Sequence, residues 1–449
     1  MSEKEQDELS QSETHATRIV QRLRDAGFTA YWAGGCVRDR LMGRAPKDID
    51  IATNAPPDAI PPLFEKTVAI GKSFGVIGVV MDKHLYEVAT FRRDAAYEDG
   101  RRPTSVTFTD AKEDAQRRDF TVNALFYDPL DDKVIDYVDG VADIERRVLR
   151  TVGRAEERFQ EDHLRLLRAI RFASVLDFTI EPATFAAIQT HADLLKRISV
   201  ERIQQELTRT WLEAIRPGDA LQLLLDSGLL RVVLPEVAAM DGQEQPPEFH
   251  PEGDVFQHTK IMMNLMGERD TVLAWSVLLH DIGKPPTASL GPGRDGETRI
   301  RFDGHDKVGE RMAREILSRL RFPNKIIEAV CTCIGNHMRF MHVQEMRNAK
   351  LRRFVGSPFF DTEMELHRLD CLSSHGMLDN YTFLQSYMNQ LAHEPVLPEP
   401  WLTGHDILAM GVPKGPEVGR WLRRAYELQL EGAASDRESL LALIRKEIK

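Results

Sequence analysis

The sequence predicts an α+β N-terminal head built on a mixed sheet, followed by an all-α neck, an all-α second block and a short helical tail. Three observations carry this. Short apolar runs alternate with helical periods from Phe28 to Asp139. After about Val152 the strand signals fade and amphipathic helical periods take over. Proline-rich stretches at Met240–Pro251 and at Pro395, Pro398 and Pro400 then divide the helical part. A chain of 449 residues exceeds one ordinary core. Its 42% apolar and 29% charged residues are those of a globular protein. Its apolar runs are short and broken by charges, too short to cross a bilayer.

Residues 1–15 are polar and acidic and are expected to form a disordered tail. Ile19, Val20 and Leu23 mark a helix over Ala16–Ala26, stopped by Gly27. In the head, 16–152, TAYWAGG reads as a strand, CVRDRLMG as a helix, DIDIAT as a strand and DAIPPLFE as a short helix. FGVIGVVM and LYEVATFR are two strands joined by a turn at Asp82–His84. The neck, 153–238, carries helical periods over Phe159–Val175, Pro182–Arg197, Val200–Ala214 and Ala220–Ser227. A linker at 239–254 leads to a helical block at 255–392, interrupted by a Gly-rich loop at Leu290–Asp303. Residues 393–449 form the helical tail.

The net charge of −11 argues against a nonspecific nucleic-acid coat. Yet Arg146, Arg147, Arg150, Arg154, Arg158, Arg165, Arg168 and Arg171 crowd one stretch, and a polyanion needs only a local positive face. Cys36, Cys331, Cys333 and Cys371 form no paired CxxC knuckles, so reduced thiols are expected and not a zinc ribbon. The N-terminus lacks the basic and apolar regions of a signal peptide. The expectation is a cytosolic chain with no membrane attachment and no obligate protein partner.

Asp48 and Asp50 stand two apart in KDIDIAT. On a strand both carboxylates face one way while Ile49 and Ile51 enter the core. Two acids held so close repel unless a cation lies between them, and hard oxygen ligands suit Mg²⁺ shared with substrate phosphates. Gly34–Gly35 follows a strand and opens a helix, a turn whose N–H groups approach a phosphate, with Arg38 one turn on.

GGCVRDRLMG…KDIDIAT resembles the motif of class II tRNA nucleotidyltransferases and bacterial poly(A) polymerases, in the polymerase-β superfamily. The resemblance runs on through RRDFTVNAL, DPLDDKVIDYVDG and EDHLRLLRAIRFA, covering roughly Thr29 to Pro235. It implies two Mg²⁺ ions on Asp48 and Asp50 that join an RNA 3′-hydroxyl to a nucleotide and release pyrophosphate. Glu87 is the candidate third acid, and serves equally well as a partner for an arginine. The family pattern places Arg118, Asp119 and Asn123 near ribose and triphosphate.

In EDHLRLLR, Asp162 and Arg165 stand three apart and on a helix share a face. Spacing alone reads as an intrahelical ion pair. The family pattern implies a template instead: acceptor and donors matching the edges of cytosine and adenine, but opposing guanine and uracil. Arg168 and Arg171 extend this cationic helix toward the nucleotide. The polar loop Arg93–Phe108, with Arg101 and Arg102, resembles the loop of enzymes that switch from CTP to ATP. The activity implied is addition of CCA, or of its terminal A, to the tRNA 3′ end from CTP and ATP. The alternatives are a poly(A) polymerase, and a phosphohydrolase whose front domain only binds RNA. The short tail of mixed charge disfavours the first, and the intact DxD the second.

His280–Asp281 closes an apolar helix in LLHDIGKP, with His250 and His258 before it and His305, His337, His367 and Asp370 after it. Imidazoles with carboxylates suit Mn²⁺, Fe²⁺, Co²⁺, Ni²⁺ or Zn²⁺. This segment resembles the HD phosphohydrolase superfamily. That implies a divalent transition metal on His258, His280, Asp281 and Asp370, with His305 and His337 serving a second metal or the phosphate. Metal-assisted hydrolysis of RNA 2′,3′-cyclic phosphate or 2′-phosphate ends follows as the implied chemistry.

Overall fold

A computed structural model describes residues 3–71, 74–94, 105–248, 250–292 and 297–448. The chain forms two compact units, Met1–Ala238 and Ala239–Lys449.

The first unit opens on helix α1 (Glu3–Asp25). This corrects the expected disordered tail. Ala16, Ile19, Val20 and Leu23 are buried at helical spacing. The preceding turn is tied down: Glu13 pairs with Arg40 at 3.4 Å, and His15 lies 3.0 Å from Asp82. The strands are β1 (Ala30–Ala33), β2 (Asp50–Thr53), β3 (Thr67–Gly71), β4 (Val76–Met81) and β5 (His84–Thr90), then the separate hairpin β6 (Arg92–Asp94) and β7 (Val106–Phe108), then β8 (Phe126–Asp128) and β9 (Lys133–Ile135). Seven of them form a sheet in the order β3-β4-β5-β2-β1-β8-β9. The β2–β5 pair is parallel and its neighbours are antiparallel. The β4–β5 turn holds Asp82 and Lys83 at φ 44° and 72°, the left-handed pair that suits the twist of a tight hairpin. DAIPPLFE forms two short 3₁₀ turns, Pro57–Ala59 and Pro61–Leu63, in place of the expected helix, because each proline removes an N–H donor.

Around and after the sheet come α2 (Gly35–Leu41), α3 (Ala111–Gln116), α4 (Gly140–Arg146), α5 (Ala155–Glu161), α6 (Arg165–Leu176), α7 (Pro182–His191), α8 (Val200–Glu213), α9 (Pro217–Asp226), α10 (Leu229–Val233) and α11 (Pro235–Ala238). A short parallel pair, β10 (Val148–Leu149) and β11 (Thr179–Ile180), brings the chain before α5 alongside the chain after α6. The helix expected over Phe159–Val175 is broken. Asp162 is extended (φ −131°, ψ 104°), and its side chain accepts from Leu164 N at 3.1 Å. An aspartate that bonds the backbone two residues on competes with the helix.

The second unit holds α12 (Val255–Leu265), α13 (Thr271–Leu279), α14 (Lys284–Thr287), the hairpin β12 (Ser289–Pro292) and β13 (Thr298–Arg301), α15 (His305–Arg319), α16 (Asn324–Asn336), a 3₁₀ stretch His337–Glu345, α17 (Asn348–Val355), α18 (Phe360–Ser373), α19 (Asp379–Gln390), α20 (Gly404–Ala409), α21 (Pro416–Leu430) and α22 (Arg437–Ile448). Asp254 and Asp270 cap α12 and α13, each accepting a backbone N–H at 2.8 Å. The described residues flanking the centre of the Gly-rich interruption pair as antiparallel strands, β12 with β13. The expected linker 239–254 is packed into this unit: Gln245 is buried and accepts from Lys284 Nζ at 2.7 Å. The tail has its own core around Leu402, Ile407, Leu440 and Ile444. All four cysteines are free and buried. Among the described residues, no helix is long and apolar enough to cross a membrane.

Candidate active site and metal centre

In the first unit the sheet sets the acids side by side. Ile51 on β2 pairs with Val88 on β5, so the preceding residues, Asp50 and Glu87, are neighbours on the opposite face. The strand begins at Asp50, and Asp48 lies just before it, exposed, with Ile49 buried between. Crowding by protein and then the charges of Glu87 and Asp48 push the Asp50 carboxyl up to about 6, against the pull of Arg118. Asp50 thus stands between two further acids, and carboxylates placed so suit a hard cation.

Gly34 lies beside them, at the end of β1. Its φ of 78° is left-handed, and a Cβ there would sit 2.9 Å from Arg118 Nη1. Only glycine lets this arginine cross the turn. Arg118 Nη1 donates to Asn123 O at 3.2 Å, and its Nε and Nη2 donate to the buried Asp114 at 3.2 and 3.1 Å. Gly35 opens α2, from which Arg38 donates to Asn123 Oδ1 and Asp39. Asn123 Nδ2 faces Asp119 at 3.4 Å. Asp119 accepts two bonds from Arg168, at 2.9 and 2.6 Å. Burial opposes ionisation of Asp119, but Arg168 and Arg165 outweigh it and hold the carboxyl at about 2. The Phe172 ring lies under Arg38, Arg168 and Arg171, at 5.6, 5.1 and 4.3 Å from its centroid.

Two expectations change here. Asp162 and Arg165 do not share a helix face, because the chain turns between α5 and α6. Buried Arg165 donates to Glu161 at 2.7 Å and to the carbonyls of Arg158 and Arg117 at 3.1 and 3.0 Å. Asp162 lies 3.4 Å from Arg202 on α8. Arg171 is paired with Glu206 and Glu213 at 2.7 and 3.6 Å. The positions Arg101 and Arg102 lie outside the described residues. Asp114, Glu161, Arg202 and Glu206 were missed. The four-residue spacing of Asp114 to Arg118 and of Glu161 to Arg165 was a usable signal. No spacing announces Arg202 or Glu206, which act across helices.

The second site gathers residues from α12, α15 and α18 and from the chain just past the ends of α13 and α16. Asp281 is its centre: His280 Nε2 lies 3.0 Å away, Lys284 Nζ 2.8 Å, His305 Nε2 3.5 Å and His337 Nε2 4.0 Å. His258 Nε2 lies 3.2 Å from Asp370 and 4.0 Å from Asp281. One device orients three rings. Nδ1 of His280, His305 and His337 sits against the carbonyl three residues back (Val277, Phe302 and Ile334) at 2.9, 2.8 and 2.6 Å. His258 Nδ1 sits 2.6 Å from Glu252. Each anchor turns Nε2 inward, as the bonds that orient metal-binding histidines do. Nε2 of His258 and of His280 is buried without an aligned hydrogen bond.

Burial disfavours a charged His258, yet the Asp370 and Glu252 carboxylates outweigh it and lift the ring to about 9. Burial and neighbouring positive charge push His337 down to about 4. A cation held among these groups would take the place of the proton on His258. His258, His280 and Asp370 form one set of converging donors, and Asp281, His305 and His337 another. The donor chemistry fits a divalent metal. His367 is stacked on Phe340 at 4.5 Å and belongs to neither set. A cavity of about 550 Å³ opens onto the cluster, with Lys284, Arg299 and Arg301 among its lining. Glu252 and Lys284 are further site residues that the spacing of His and Asp did not reveal.

Three family descriptions match the chain in order: a poly A polymerase head domain over residues 30–150, a probable RNA and SrmB-binding site of polymerase A over 177–240, and an HD domain over 254–371. The CCA-adding enzyme of Lactobacillus gasseri is 32% identical over 438 residues, covering 95% of this chain and 96% of that protein. The crystal structure of the Bacillus stearothermophilus CCA-adding enzyme in complex with CTP covers 96% of both chains, with a TM-score of 0.74 and 27% identity. The Thermotoga maritima CCA-adding enzyme complexed with tRNA shares the fold, with a TM-score of 0.60 and 19% identity over 97% of this chain. With the three-acid sheet edge, the glycine turn and an HD cluster in one chain, the protein belongs to the class II CCA-adding enzymes, nucleotidyltransferases with an RNA-binding region and a C-terminal HD domain.

Proposed function

We propose that this enzyme builds the complete CCA end of tRNA from CTP and ATP in the cytosol. The observation that carries the reading is the juxtaposition of Asp50 with Glu87 across the β2–β5 pair, one strand from Gly34 and Arg118. Asp48 and Asp50 hold Mg²⁺, and Glu87 completes the negative wall. Mg²⁺ held by Asp48 and Asp50 would neutralise charge on the triphosphate and ease ionisation of the RNA 3′-hydroxyl. Gly34 and Gly35 leave backbone room for the triphosphate, and Arg118 and Arg38 face its charge. Asp119 and Asn123 hold Arg168 and Arg38 in place at the ribose side.

Asp162 and Arg165 select cytosine and adenine in this reading. Asp162 offers the acceptor and Arg165 the donors once Arg165 turns from Glu161 to the incoming base. A carbonyl-plus-N–H edge then leaves groups unpaired at about 1–3 kcal/mol each. The complexes of the relatives with CTP and with tRNA support these ligands. The test is tRNA lacking CCA with labelled CTP and ATP. Sequential gain of C, C and A is expected, and loss of incorporation in Asp50→Asn.

The HD cluster is proposed as a metal-dependent phosphohydrolase acting on RNA 2′,3′-cyclic phosphate or 2′-phosphate ends. Its support is the inward set of Nε2 atoms around Asp281 and the cationic lining above it. The bound transition metal supplies Lewis acidity toward the phosphoester. Cleavage of a 2′,3′-cyclic nucleotide by metal-supplemented enzyme, abolished in His280→Ala, is the expected result. No activity with any divalent ion would remove the hydrolase reading and leave a metal-binding structural domain.

A further inference from the structure

The sheet face that carries Asp50 and Glu87 continues as an open apolar surface. Direct cross-strand partners share a face. Glu87 on β5 pairs with Gly78 on β4, and Gly78 pairs with Val68 on β3. Leu85, two residues before Glu87, lies on the same face. Ile70 sits at a bulge in β3, and its Cδ1 and that of Leu85 each lie 2.8 Å from where a Gly78 Cβ would be. The absence of a side chain at Gly78 lets these two aliphatic groups close over β4 beside the carboxylates. Val68, Ile70 and Leu85 keep 46%, 46% and 54% of their surface exposed. On β4 and β5 the opposite face is covered: Ile77, Val79, Tyr86 and Val88 are buried, and Tyr86 meets α1 through His15.

The sheet order says which substrate meets this surface. Gly34 and Arg118 lie on the β1 side of β2, and the apolar face extends on the β5–β4–β3 side. In nucleotidyl transfer the attacking oxygen and the leaving pyrophosphate are roughly in line on opposite sides of the reacting phosphorus. A triphosphate seated on the β1 side therefore requires the attacking 3′-hydroxyl to arrive from the β5 side. The apolar surface is continuous with that approach.

We propose that Val68, Ile70 and Leu85 form a platform for the unpaired 3′-terminal nucleotides of the RNA, against which a base packs to hold its ribose at the carboxylates. An aliphatic platform accepts any base face, so one surface serves each successive 3′ end. This inference rests on the nucleotidyltransferase reading of Asp48 and Asp50.

The test measures KM for tRNA lacking CCA and KM for CTP separately, in Ile70→Ser/Leu85→Ser and in Leu85→Phe. The expected result is a rise of about tenfold in KM for RNA in the double variant, from lost apolar contact. KM for CTP stays within a factor of about two, a change of under about half a kcal/mol, and Leu85→Phe keeps or lowers KM for RNA. An unchanged KM for RNA, a rise confined to CTP, or altered self-association without an RNA effect would overturn the proposal.

A second measurement does not need turnover. The natural cysteines are buried, so Leu85→Cys introduces a solvent-facing thiol. An RNA with a thiol-reactive group on its terminal base is expected to cross-link there, and unmodified RNA to compete. If wild-type enzyme adds no nucleotide, the functional reading fails by itself. Absence of the cross-link would then overturn the platform independently.

Discussion

Arg168→Met tests the electrostatic frame that joins head and neck. Asp119 is 9% exposed and takes two hydrogen bonds from Arg168. Its carboxyl stands at about 2 against an ordinary 3.8, a gap equivalent to about 2 kcal/mol of stability at neutral pH. The folded pKa is depressed, so between about 4 and 2 the unfolded chain binds more protons. The contribution is present above pH 4 and is lost as pH falls through about 2. Removing Arg168 takes away the larger share of it and leaves the buried carboxylate with only Arg165, Asn123 and the Phe120 N–H to offset its charge, for a total of about 3 kcal/mol at pH 7. Hydrogen exchange of peptides covering β1 and β8 localises the loss to the first unit. Asp119→Asn/Arg168→Met should recover at least about 1 kcal/mol relative to additivity, and the penalty of Arg168→Met should shrink below pH 4. Additive penalties that do not vary with pH would refute the argument.

Other substitutions probe the site piece by piece. Gly34→Ala forces a left-handed alanine at about 1 kcal/mol and pushes on Arg118, so KM for both nucleotides should rise while tRNA affinity holds. Asp50→Asn should lower kcat by about a thousandfold or more with tRNA still bound, as filter binding and turnover together would show. Asp162→Ala should erode preference for C and A over U and G more than RNA affinity; an unchanged nucleotide preference rejects its template role. His280→Ala should lower bound transition metal per chain by elemental analysis, with β2 exchange unaffected because that strand lies in the other unit.

Local signals in the chain read correctly where physics is local. The alternation Asp50–Ile51 and the turn at Asp82–His84 follow from period and turn chemistry, and both stand in the structure, where β4 and β5 pair across that turn. The HD residues were legible because six ligand-type side chains recur on separate helices, and the fold brings those six together. Errors arose where distant partners decide. The polar start of α1 reads as a tail until Arg40 and Asp82 are seen opposite it. Asp162 reads as helical until its bond to Leu164 N and its ion pair with Arg202 show the turn. Arg171 reads as part of a cationic face, yet Glu206 and Glu213 from α8 absorb it. The stretch 239–254 reads as a linker by its prolines, but Gln245 and Glu252 build the HD site through Lys284 and His258.

The most direct measurement is single-nucleotide incorporation into tRNA lacking its CCA end. With CTP alone the enzyme should add two cytidines and stop. Subsequent ATP should add one adenosine, with every step lost in Asp50→Asn. No incorporation from CTP, with ATP extending only tRNA that already ends in CC, would contradict complete CCA synthesis.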